Sequence, residues 1–143
     1  MLCQLLAKIF NLSQVIEDEM IMGSGVCLAN AIFENVKDVG PTVIPGILQI
    51  YLGQIQQTLC SDVQKMLMQG IMTALWYDFS TTLGCLEQYN ATSFIVQKSL
   101  EMTSDLEHDH EVKKFMLGMT AMLVSPTQAT LPECMQQNMS NIM

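Results

Sequence analysis

The most concentrated set of reactive side chains in this sequence is Glu107-His108-Asp109-His110-Glu111, in which two imidazoles alternate with three carboxylates. A His-x-His pair among carboxylates offers nitrogen and oxygen donors of the kind that divalent cations take. The same five residues fall between two helical patterns, where Asp109 would cap a helix and its neighbours would face water. A third use is recognition, with Glu107, Asp109 and Glu111 attracting a lysine-rich partner through an acidic loop. The reading adopted is a solvated loop without metal, in which these three carboxylates are the candidate partner contacts.

Other reactive groups are scattered. Cysteines stand at 3, 27, 60, 85 and 134 with no Cys-x-x-Cys pair, which predicts buried thiols in a reducing compartment rather than a disulfide framework or a zinc site. Glycosylation sequons at Asn11, Asn90 and Asn138 have meaning only in a secreted chain. The opening MLCQLLAKIFNLSQ has neither a basic leader nor a small-residue cleavage pattern, so no signal peptide is expected. Walker-type and GxGxxG loops, a GxSxG elbow and HExxH are all missing. Cys-His catalysis would have to use His108 or His110 with no identifiable oxyanion donors. The expectation is a protein with no catalytic activity and no cofactor.

The elements that must position these residues follow from composition and periodicity. The chain has 143 residues, 50% of them hydrophobic, with 14 acidic side chains against 6 basic ones and a formal charge of −8. That is the length of one domain, too apolar to stay disordered. All the basic residues are lysines, so the guanidinium fork that favours phosphate is missing and the net charge repels a polyanion. Nucleic acid is not an expected partner. The uncharged stretch from Val39 to Ser61 holds Pro41, Pro45 and glutamines at 49, 54, 56 and 57, a polar load that argues against membrane insertion.

Apolar residues recur at helical spacing nearly throughout, and no alternating strand pattern is found, which predicts an all-α fold. One helix should begin at Pro41 with the stripe Ile44, Ile47, Leu48, Tyr51 and Ile55, its glutamines taking other faces. A second should begin at Ser61, capped by that hydroxyl, with Val63, Met66, Leu67, Ile71, Ala74 and Leu75 widened by Met68, Met72 and Trp76 until it is buried on most sides. A third, from near Asp109, should bury Val112, Phe115, Met116, Met119, Met122 and Leu123 in the same manner before Ser125-Pro126 stops it. Weaker helices are expected at 79–88 and 92–106, an earlier one from Ser13 to Asn35 bent at Gly23-Ser24-Gly25, and terminal ones over Met1–Phe10 and Leu131–Ile142. The methionines of the second and third helices would serve either as core or as a pliable binding face, and their helical spacing favours core. Trp76 and Tyr77 would pack on a neighbouring repeat or hold a peptide side chain.

The helices also echo one another. Asp62-Val63-x-Lys65 returns as Glu111-Val112-x-Lys114, an offset of 49 residues, and Thr42-Val43-Ile44-Pro45 returns as Ala129-Thr130-Leu131-Pro132, an offset of 87. Steps of roughly 44 residues belong to HEAT and armadillo arrays. Apolar patterns at both ends, where such arrays carry polar caps, predict that residues 1–143 form a single HEAT-repeat segment of a longer solenoid.

Within this pattern the stretch from about Met22 to Pro126 resembles the C-terminal part of nuclear transport receptors of the importin-β superfamily, nearest the importin seven and eight branch. The residues concerned are Ala74-Leu75-Trp76-Tyr77-Asp78, Thr82-Leu83-x-x-Leu86-Glu87, Phe94-Ile95-Val96-Gln97 and Lys114-Phe115-Met116-Leu117-Gly118-Met119. The missing arginines depart from that branch. The resemblance implies a HEAT or armadillo-like α-solenoid of stacked antiparallel helix pairs that binds protein cargo during nuclear import. It further implies control by the Ran GTPase in the full-length receptor and shuttling between cytoplasm and nucleus. Acidic loops in such receptors attract basic cargo, a role that falls here on Glu107, Asp109 and Glu111. The alternatives are a HEAT or armadillo scaffold without a transport role and a free-standing methionine-rich helical binding module.

Overall fold

A computed structural model describes residues 19–35 and 40–124, together with residues 4, 5, 8, 9 and 11, which are helical. The terminal helix at Leu131–Ile142, the echo at Ala129–Pro132, Cys3 and Cys134 lie outside the described residues, as do the start of the helix expected from Ser13 and the Ser125-Pro126 stop. Among the described residues the fold is all-α. Its helices are α1 (Glu19–Asn35), α2 (Gly40–Ile55), α3 (Ser61–Tyr77), α4 (Phe79–Gln88), α5 (Thr92–Met102) and α6 (Asp109–Val124), with a 3-10 turn at Thr103–Asp105 before α6. No helix among the described residues is long and apolar enough to cross a membrane.

The five stripe residues of α2 are all buried, at 0 to 3% exposure, and Gln54, expected on another face, is buried with them. Pro45 lies inside this helix and cannot donate to the carbonyl four residues back. Proline inside a helix costs about 3 kcal/mol, whereas each fully buried aliphatic side chain returns about 1.5–3 kcal/mol, so packing overrides the break. Tyr51 is the polar member of the stripe. Its hydroxyl lies 2.8 Å from Asn30 Oδ1 and 3.3 Å from the Val26 carbonyl of α1, while Asn30 Nδ2 donates to the Met66 carbonyl of α3 at 3.2 Å. This buried network joins three helices, and burial pushes the Tyr51 phenol far above its ordinary range, with the Cys27 thiol adding to it.

Helix α3 is the centre of the described helices, buried at Val63, Leu67–Met72, Ala74 and Leu75. It begins differently from the expectation. Cys60 occupies the cap position with no side-chain cap bond, its carbonyl taking the Gln64 amide at 3.0 Å, and Ser61 is already helical. Gln64 Nε2 reaches back to the Thr58 carbonyl at 2.9 Å, and Asp62 pairs with Lys65 at 3.4 Å.

A single residue, Asp78, turns the chain from α3 into α4. Its carboxylate accepts the Thr81 amide at 3.1 Å and the Thr81 hydroxyl at 2.7 Å, while the Ala74 carbonyl takes both the Asp78 amide and the Thr82 hydroxyl. Asn90, at φ 51°, ends α4 in the left-handed conformation that asparagine tolerates, with Ala91 N–H bonded to Leu86 O at 2.8 Å and Asn90 N–H to Glu87 O at 3.0 Å.

Helix α3 packs chiefly on α1 and α6, while α2 packs on α4 and less extensively on α3. The approach of α6 is set by Gly118, where an added Cβ would lie 2.9 Å from Met72 Cα. That contact corrects the expected stripe. Helix α6 buries only Glu111, Phe115, Gly118 and Met122, and leaves Val112 41% and Met116 62% exposed. Closest approach falls at the residue with no side chain, so Val112 and Met116 lie outside the contact while Met119 stays partly buried against the core.

Candidate protein-docking site

The acidic cluster lies at the start of α6, and its members separate. Glu111 is buried against α3, where its Oε1 accepts from Gln69 Nε2 at 3.1 Å and its Oε2 accepts the backbone amides of Glu107 and His108, each at 3.1 Å. The His108 carbonyl in turn receives the Glu111 and Val112 amides at 2.9 and 3.1 Å, which makes His108 the cap of α6. Glu111 therefore reaches back as the third-position carboxylate of a capping box does, a task the sequence reading gave to Asp109. Burial pushes the Glu111 carboxyl up, but the His108 and Glu107 amides, helped by the Lys65 charge, outweigh it and hold the group below its ordinary value.

Of the three proposed partner contacts, Glu107 and Asp109 are exposed, and Glu111 is turned inward with both oxygens engaged. His108 and His110 are exposed beside them, their rings stacked with centroids 5.5 Å apart. No group of three or more histidine, cysteine, aspartate or glutamate side chains among the described residues is placed to hold a metal ion. The described cysteines are thiols outside any disulfide. Cys85 is buried, as expected, whereas Cys27 is exposed. Burial, with Asp78 nearby, pushes the Cys85 thiol up and away from the reactive thiolate.

Next to the acidic loop lies a cleft of about 410 Å³. His110, Lys113, Lys114 and Leu117 form one face of α6 and line one wall, and Thr73, Trp76 and Tyr77 from the end of α3 form another. Phe33 and Glu34, from the end of α1, complete it. Phe33 is fully buried, whereas Trp76 is 53% and Tyr77 38% exposed. Glu34 Oε1 meets Lys114 Nζ at 2.7 Å, an ion pair that ties α1 to α6 across the cleft. Trp76, which the sequence pattern placed in the buried stripe of α3, is thus an open aromatic surface.

The sequence reading named Trp76 and Tyr77 as candidates but missed Phe33, Glu34, Lys113 and Lys114. The spacing of His110, Lys113, Lys114 and Leu117 was legible as one helical face. That this face meets α1 and α3 depends on contacts far apart in the chain. Comparison with known protein families, with curated proteins and with solved structures finds no match to this chain.

Proposed function

We propose that this chain is a HEAT-like α-solenoid segment that works by reversible protein binding, and that its role is cargo binding in an importin-β-type carrier for nuclear import. The observation that carries this reading is the order in which the helices pack. Helices α3 and α6 begin at residues 61 and 109, a step of about 40–50 residues, and α3 packs on both α1 and α6 while α2 packs on α4. Two layers in which every second or third helix meets its counterpart are what stacked helix pairs produce. The echoed segments Asp62–Lys65 and Glu111–Lys114 both lie within the first two turns of α3 and α6. The apolar side chains exposed on α6, Val112 and Met116, fit a surface on which a further repeat stacks.

The transport role rests on the resemblance carried by Ala74–Asp78, Thr82–Glu87, Phe94–Gln97 and Lys114–Met119. In this reading Glu107 and Asp109 are the exposed carboxylates that meet basic cargo, and Glu111 holds the loop that presents them. The test is fluorescence anisotropy of a labelled lysine-rich import peptide with the full chain at low and physiological salt. The expected result is binding that weakens several-fold with salt and with the Glu107→Gln, Asp109→Asn pair. A peptide that binds no better than its glutamine-substituted counterpart would overturn the cargo role. A scaffold without a transport role is the second reading, favoured by the lysine-lined cleft, which has no use for a basic cargo.

A further inference from the structure

The cleft between the ends of α1 and α3 and the first half of α6 has the opposite electrostatic character to the rest of the molecule. The chain carries a formal charge of −8 with only 6 basic residues, yet two of them, Lys113 and Lys114, line this one cleft. Among the described residues that line it, the carboxylate is Glu34, and Glu34 is engaged by Lys114 at 2.7 Å. Lys113 is thus an exposed ammonium at the rim, beside Trp76, Tyr77 and Leu117. A volume of about 410 Å³ suits one or two side chains rather than a helix. Exposed tryptophan and tyrosine at the mouth of a preformed hollow are the residue types on which interfaces anchor.

We propose that this cleft docks an acidic peptide segment carrying an aromatic or leucine side chain. The apolar side chain lies on Trp76 and Leu117 above Phe33, and a neighbouring carboxylate of the peptide meets Lys113. This occupant follows from charge complementarity, since a basic or neutral segment would leave Lys113 uncompensated next to apolar surface. The docking stands apart from the carrier reading, because it uses the basic cleft and not the acidic loop.

Trp76 is the chain's single tryptophan, so its emission reports the site directly. The experiment titrates the full chain with a short peptide bearing one phenylalanine flanked by glutamates, and with its glutamine counterpart. The glutamate peptide should shift the emission of Trp76 to shorter wavelength and saturate. Lys113→Glu should weaken its binding about three- to tenfold, whereas Lys98→Glu, which changes net charge equally but lies on α5, should leave it unchanged. Circular dichroism of both variants should match the parent chain. The proposal is overturned by an absent shift, by equal binding of the glutamine peptide, or by equal effects of the two lysine variants. It is also overturned by a shift that grows with protein concentration alone, which would place a second copy in the cleft.

Discussion

Both oxygens of Glu111 are used inside the fold, by Gln69 and by the amides of Glu107 and His108. Removing its charge weakens three hydrogen bonds at a helix start, so Glu111→Gln should lower stability by about 1–2 kcal/mol. The pH dependence has a definite sign. The folded-state value lies below the ordinary 4.5, so the stabilisation is fully present above pH 4.5 and is lost as pH falls through the lower folded value. Thermal melts below pH 4.5 should therefore bring the parent chain and Glu111→Gln together, and a gap that widens as pH falls would refute the assignment. The acidic cluster was visible in the sequence, but its division was not. Telling Glu111 from Asp109 requires the start of α6 to within a residue and the presence of Gln69, 42 positions earlier in the chain, across from it.

Glycines give the helices predictions of opposite sign. Alanine at 118 would drive its Cβ to 2.9 Å from Met72 Cα, a backbone atom that moves only with α3 itself. Overpacking costs about 1–3 kcal/mol against a helix-propensity gain of about 1 kcal/mol, so Gly118→Ala should destabilise. Gly84 lies in α4 with nothing within 4 Å of the same position, so Gly84→Ala should stabilise by about 0.5–1 kcal/mol. Urea denaturation of the two variants checks both signs. The stripe of α2 was fully legible because Ile44, Ile47, Leu48, Tyr51 and Ile55 agree with one period and one face. In α6 apolar residues surround Gly118 on all sides, so the sequence offered no way to choose the stripe, and the partner helix chose it.

At the scale of the whole molecule, the proposed stack of repeats rests on the order in which α1, α3 and α6 pack. The expected helices from Ser13, Ser61 and near Asp109 include one, α3, that packs on both of the others, although this adjacency could not be read from short echoes alone. The Tyr51–Asn30–Met66 network was hidden for the same reason, since each member is an ordinary helical residue until α1, α2 and α3 meet. A stack differs from a closed bundle in how its stability is shared, because each layer of a stack is held by its immediate neighbours and the outer ones open first. Native-state hydrogen exchange of the full chain measures this directly. The account predicts the slowest exchange in α3, which is held on both sides, and faster exchange by local opening in α1 and α6. Equal protection of α1, α3 and α6, all exchanging in one global unfolding event, would contradict the repeat stack and return the chain to a closed helical bundle.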